Sequence, residues 1–200
     1  ALNCETDFVA KNEDFVKFAE TILDVAIEGL PADLEGLNNL EVDGMKISQK
    51  IIEQTGVVGE KIDLKYFDKI ENEQVAAYIH SDKKLATLVG LTKSGIDEQV
   101  GKDVAMQVAA MDPVAVNKDQ VSQADIDKEL EIGRNQALAE GKPAELVDKI
   151  AQGKLGKFFK ENTLLSQSFI KDNKMTVDQY LKGTDKDLTV SEFKRFSIKQ

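Results

Sequence analysis

Apolar residues recur at three- and four-residue spacing through Phe15, Phe18, Ala19, Ile22, Leu23 and Ala26, which predicts a helix with one buried face. Asn12 stands before it as an N-cap. Glu13 and Asp14 follow at the positive end of the helix, and Gly29 with Pro31 stops it. A second, shorter helix is predicted over residues 45–54, with Gly56 as its stop. The period then changes to two: Ile62, Leu64 and Tyr66 alternate with Lys61, Asp63 and Lys65, the pattern of a half-buried strand. Residues 75–80 and 85–92 predict two further strands joined by Ser81-Asp82-Lys83-Lys84. Three short strands in succession predict an antiparallel meander packed on helices, an α+β fold.

The second half of the chain repeats the first. Phe15, Lys17, Ala19 and Leu23 register on Val100, Lys102, Val104 and Val108, and both helices end near a proline, Pro31 and Pro113. Met45-Lys46-Ile47-Ser48-Gln49 registers on Met175-Thr176-Val177-Asp178-Gln179, and Leu64-Lys65-Tyr66-Phe67 on Phe193-Lys194-Arg195-Phe196. The first two matched blocks lie further apart in the second copy, so that copy carries an insertion. The expected organisation is a first subdomain over residues 1–95, a second over 96–118 and 163–200, and an insertion over 119–162. The insertion predicts a helical hairpin. Ser122 with Asp125 resembles a capping box, and Ile126, Leu130, Ala137 and Leu138 form a thin apolar stripe. Gly141-Lys142-Pro143 closes one helix and opens the next, which runs through Leu146, Val147 and Ile150. So thin a stripe either lies on the body or pairs with another chain.

Composition narrows the function classes. The chain has 200 residues, 42% hydrophobic and 31% charged, with a formal net charge of -10. That charge repels phosphate backbones, so no direct nucleic-acid binding is expected. No apolar run reaches the roughly 18 residues of a membrane span, and no signal peptide opens the chain. The single cysteine, Cys4, forms no internal disulfide and suits a reducing compartment. A soluble, acidic, intracellular protein is therefore expected. No phosphate-binding loop or dinucleotide fingerprint is present. The lone His80 has no partners at metal-ligand spacing, so neither a metal nor a cofactor is expected. His80 is expected at the surface and Cys4 as a small residue buried in a strand. One polar residue stands out: Gln107 projects along the stripe of Val100, Val104, Val108 and Met111. It lies either at the wet edge of that stripe or on a face that meets another protein.

The opening stretch "NCETDFVAKNEDF" places Phe8 outside any periodic pattern, with Val9 as its adjoining apolar neighbour. It is either a loop residue folded into the core or one presented to a partner. This stretch, together with "AYIHSDKKLATLVGL", "GKDVAMQVAAMDP" and "GKPAELVDKIAQGKLGKFFKEN", closely resembles the bacterial elongation factor Ts family, in the family's order along essentially the whole chain. The resemblance implies a cytoplasmic guanine-nucleotide exchange factor for elongation factor Tu, with no covalent chemistry and no cofactor. It implies two similar α+β subdomains with an inserted helical hairpin, and a small GTPase-binding helical domain upstream of residue 1. It also implies that Phe8 inserts into an apolar crevice near the switch region and dislodges Mg²⁺, with Thr6, Asp7 and Val9 in the same motif. Leu85, Ala86 and Gln107 become secondary contacts, Gln107 standing where many relatives carry His, and the hairpin becomes a site of homodimerisation. The competing reading is a non-catalytic interaction or scaffold protein that works through the hairpin.

Overall fold

The computed structural model describes residues 1–198. The chain divides into two compact units, Ala1–Lys69 and Ile70–Gln200.

In the first unit, β1 (Leu2–Asn3) is followed by α1 (Asp7–Lys11) and the long α2 (Glu13–Gly29). Asn12 caps α2 as its sequence predicts, its Oδ1 accepting from the backbone N–H groups of Asp14 and Phe15. The helix ends at Leu30, which takes the left-handed conformation at φ 43°. Next come α3 (Leu34–Asn39), the hairpin β2 (Glu41–Val42) and β3 (Met45–Lys46), α4 (Ile47–Val58) and β4 (Asp63–Leu64). Asp43 and Gly44 both have positive φ, as a two-residue hairpin turn requires. The expected helix over 45–54 therefore starts two residues later, because Met45 and Lys46 pair back onto Val42 and Glu41. It also runs past Gly56 and stops at Gly59 (φ 75°), where the missing Cβ removes the left-handed penalty. The core joins Ile22, Ala26, Leu37, Val42, Ile47, Ile51, Ile62 and Leu64. Leu23, expected on the buried face of α2, is exposed.

In the second unit, β5 (Gln74–Ile79) and β6 (Leu85–Leu91) form an antiparallel hairpin, and α5 (Glu98–Met111) packs on it. Two long helices follow, α6 (Gln123–Ala139) and α7 (Ala144–Asn162), then the hairpin β7 (Ser168–Phe169) and β8 (Asp172–Thr176), α8 (Val177–Thr184) and β9 (Val190–Ser197). The sheet order is β5-β6-β9, all antiparallel. This corrects the expected meander. Ile62 and Leu64 do alternate inward, but β4 pairs with β1, and the third strand beside β6 is β9. A boundary at residue 95 would cut β6 from β9, whereas the compact units divide after Lys69. Within each unit a long helix precedes a β-hairpin, a shorter helix and a strand, matching the blocks that repeat in sequence. The core under the sheet joins Val89, Leu91, Val104, Val108, Leu164, Phe169, Val177, Leu181 and Leu188.

α6 and α7 lie against each other over Gly133, Ala137, Val147, Ala151 and Leu155, all buried. A Cβ on Gly133 would sit 3.0 Å from Ala151 Cα, so the missing side chain is what lets the arms approach there. Ser122 caps α6, its hydroxyl accepting from Asp125 N–H and donating to the Asp125 carboxylate. Gly141 (φ 70°) and Pro143 make the reversal. Ala115 and Thr163 form a parallel bridge, with Val114 N–H donating to Asn162 O and Leu164 N–H to Ala115 O. The chain thus leaves for the hairpin and returns at adjacent points.

Asp103 of α5 is nearly buried, and its carboxylate accepts from Gln99 Nε2 and Lys171 Nζ (each 2.6 Å) and from Tyr180 Oη (3.1 Å). Those bonds reach the β7–β8 turn and α8, where Tyr180 stacks on Phe169 at 4.2 Å. Burial pushes the Asp103 carboxyl up, but the hydrogen bonds from Lys171, Gln99 and Tyr180 outweigh it and hold the group below the ordinary aspartate range. Burial and the bond to Asp103 push the Tyr180 phenol up to about 12.

Asp103→Asn is expected to cost about 1.5–3 kcal/mol at neutral pH, the range for hydrogen bonds to a charged group. Lys171 is partly solvated, so little uncompensated buried charge is left behind. Because the folded pKa lies below the unfolded one, this stability is present above the ordinary value of about 4 and is lost as pH falls through the lowered folded value. Melting curves of both forms from pH 7 into acid check this: the gap between them closes below about pH 4. Replacing residues 125–159 by a short Gly/Ser link is expected to leave a single cooperative melt of the second unit, since the exit and return strands stay bridged.

Candidate functional site

The first turn of α1 is built around Thr6. Its backbone is extended (φ -120°, ψ 152°), and its hydroxyl accepts from Val9 N–H, capping the helix. The same hydroxyl donates to Glu60 Oε1 at 2.6 Å. Glu60 Oε2 accepts from the backbone N–H groups of Glu5 (3.2 Å) and Thr6 (2.9 Å). Three donors from one turn therefore converge on one carboxylate, carried just beyond the C-terminus of α4. Cys4 Sγ donates to Thr6 O at 3.4 Å. Burial, and then the charge of Glu60, pushes the Cys4 thiol up, so it stays protonated and is a poor nucleophile. Cys4 lies just past β1 and is half-buried, not enclosed in a strand as expected.

This framework presents Phe8. Its relative exposure is 90%, the highest among the large hydrophobic side chains, so the core reading of this ring is excluded. Asp7 is exposed in the first turn and Val9 is half-buried. Thr6, Asp7, Phe8 and Val9 thus share one turn of the first unit. Exposed apolar residues also occur on α4 (Ile52, Val57) and α2 (Leu23, Ile27).

The other expected contacts fall in the second unit. Leu85 and Ala86 begin β6, half-buried and paired with Ser197 and Phe196. Gln107 is at neither a wet edge nor a protein-facing surface: its relative exposure is 0%. Its amide N–H₂ donates to Gln167 Oε1 (3.1 Å) and Ser168 O (3.2 Å), and its Oε1 accepts from Ile170 N–H (2.8 Å). Gln167, also buried, donates to Glu161 O and Met111 O. Gln107 does lie along the apolar stripe of α5, but that stripe is buried at this position. Its partners come from a turn some sixty positions on, which periodicity does not reveal, so in sequence alone the amide has no partner and reads as outward-facing. Glu60 was missed too, because a carboxylate just past a helix end reads as a solvated charge. His80 is exposed at the end of β5 and shares a hydrogen bond with Tyr78 Oη through Nδ1. Among the described residues no cluster of His, Cys, Asp and Glu is placed to hold a metal, and no helix is long and apolar enough to cross a membrane.

Fold and site together define an α+β chain that holds one aromatic side chain in solvent on a firmly tied turn. Comparison with known proteins then places it. Residues 5–200 match the family described as Elongation factor TS. Among curated relatives, each called Elongation factor Ts, that of Amoebophilus asiaticus is 49% identical over 200 residues. Those of Porphyromonas gingivalis and Azobacteroides pseudotrichonymphae are 48% and 45% identical. In each case 99% of this chain and 72% of the relative are covered. The chain belongs to the elongation factor Ts family, and its role is that of a translation elongation factor in protein biosynthesis.

Gln107→Leu is expected to destabilise the second unit by about 2–4 kcal/mol, because it removes the bonds that Ile170 N–H, Gln167 Oε1 and Ser168 O make to Gln107 in a buried place. Thermal melting checks this. A fall of under about 0.5 kcal/mol, the size of an ordinary surface change, would place the amide outside the core.

Proposed function

We propose that the chain is a guanine-nucleotide exchange factor for elongation factor Tu, working in the cytoplasm without covalent chemistry. The observation that carries this reading is Phe8, exposed to 90% on a turn tied at Glu60, within a family of elongation factors. An aromatic ring suits insertion: it buries a large apolar area and loses few rotamers on docking. Phe8 enters an apolar crevice of the GTPase near its switch region and its bound Mg²⁺, and Asp7 holds the displaced element by polar contacts. Thr6 and Val9 keep the turn in place. Moving the Mg²⁺ ligands loosens the diphosphate, so GDP leaves faster. Linkage requires the converse, that returning nucleotide weakens the hold on the exchange factor, and this allows turnover. Leu85 and Ala86 are secondary contacts. Gln107, being buried, acts on docking only through the backbone of Ser168 and Ile170.

The duplicated element order supports two similar subdomains with an inserted hairpin. The exposed Ile132, Leu138 and Leu146 on the hairpin support self-association through it. On that reading, the chain shortened across 125–159 sediments as a monomer while the intact chain sediments as a dimer.

Phe8→Ala is expected to leave the stability read from thermal melting unchanged within about 0.5 kcal/mol, as for an exposed side chain. It should slow the release of fluorescent GDP from elongation factor Tu by about 30-fold or more, the loss of a central aromatic anchor. Stopped-flow release with the two forms reads this directly. Binding without any acceleration by the unaltered chain would favour the scaffold reading instead.

A further inference from the structure

α1 has five residues, none of them buried. A helix that short does not hold itself in water, and no side chain of its own is fully buried. Local ties hold its ends: Thr6 caps its start, and Asn12 N–H donates to Val9 O at its end. Both fix the turn to itself and to the head of α2. Three hydrogen bonds at Glu60 tie it to a distant element, 54 and 55 positions away in sequence. Glu60 follows Gly59, whose left-handed φ ends α4, and α4 is anchored in the core by Ile47 and Ile51. The chain of support runs from that core through α4 and the Glu60 carboxylate to the Glu5 and Thr6 backbone, and so to Phe8.

We propose that Glu60 is the positioning residue of the docking turn, holding the Thr6–Phe8 backbone in one conformation so that the Phe8 ring is presented to the partner already ordered. The inference rests on the docking role of Phe8 given above and deepens it. A ring at 90% exposure has no packing of its own to define its direction, so its place is set by the backbone beneath it. Ordering that backbone before docking removes an entropy cost from binding. The carboxylate is suited to the task because it only accepts, and all three facing groups donate. Glutamine can keep much of this geometry. Its carbonyl oxygen can take the two backbone N–H groups, and its amide can donate to the Thr6 hydroxyl, which has a lone pair to spare. Alanine can keep none.

The test measures the release of fluorescent GDP from elongation factor Tu with five forms of the full chain: unaltered, Glu60→Ala, Glu60→Gln, Phe8→Ala, and Glu60→Ala with Phe8→Ala. Glu60→Ala is expected to lower exchange about tenfold, the loss of hydrogen bonds to a charged group, with the binding constant carrying the change. Glu60→Gln is expected to recover most of it. Since Glu60 acts through Phe8, the double variant should be no slower than Phe8→Ala alone. Independent losses that multiply would overturn the proposal, as would Glu60→Gln being as poor as Glu60→Ala, which would make charge rather than geometry the active property. A second measurement needs no partner: backbone amide exchange at Glu5 and Thr6 should quicken in Glu60→Ala while α2 and α4 keep their protection. If those two amides stay as slow as before, the clamp does not hold the turn. If Phe8→Ala leaves exchange untouched, the docking reading fails by itself, and the amide measurement still decides whether Glu60 orders the turn.

Discussion

Strand β6 has two edges and must satisfy both. One is taken at once by β5 through a tight turn, but the other is met only by β9, at the far end of the same unit. Several of the elements between them brace that closure. α5 lies on the sheet, with Thr87 Oγ1 donating to Ala105 O at 2.7 Å to fix their separation. Arg195 on β9 reaches Ala109 O and the Asp112 carboxylate at the end of α5. At the bulge between Gly90 and Leu91 the side chain of Asn72 fills the space a Cβ would need, bonding Ser191 and Glu192 of β9. The buried Gln107 and Asp103 then tie the β7–β8 turn and α8 to the same helix.

The first unit solves a different problem. Most of its apolar surface is spent on an ordinary core, yet it keeps its most exposed aromatic on the least self-supporting helix. The exposed ring gives up the burial energy that a core phenylalanine would gain, on the order of 2 kcal/mol. That unspent burial is available to a partner, provided the turn does not lose it again as disorder. A converging set of hydrogen bonds on one carboxylate is the physical means of keeping it.

Much of this was legible in the sequence, and the failures share one cause. Caps and stops such as Asn12, Ser122, Gly141 and Pro143 act through their nearest neighbours, so local pattern places them correctly. The inward alternation of Ile62 and Leu64 was likewise readable. The pairing of β4 with β1, and of β6 with β9, was not, because alternation defines a face without naming the strand alongside. Met45 and Lys46 carry helix-compatible side chains, and only the Asp43-Gly44 turn folds them into a hairpin. In the site, Phe8 drew notice because it broke the pattern. Glu60 and Gln167 escaped notice because acidic and amide residues are common everywhere, and their meaning lies wholly in which distant groups they meet.

The bridge between Ala115 and Thr163 bears on how the second unit assembles. A long excursion in the middle of a chain normally slows the meeting of the segments on either side, since more conformations must be given up to bring them together. Here the excursion is two helices with a tight reversal, built from contacts near in sequence, and its ends emerge side by side. Once the arms have met, the search that brings β9 to β6 proceeds along a much shorter effective tether. By its adjacent ends the hairpin shortens the distance along the chain that the β6–β9 closure must span.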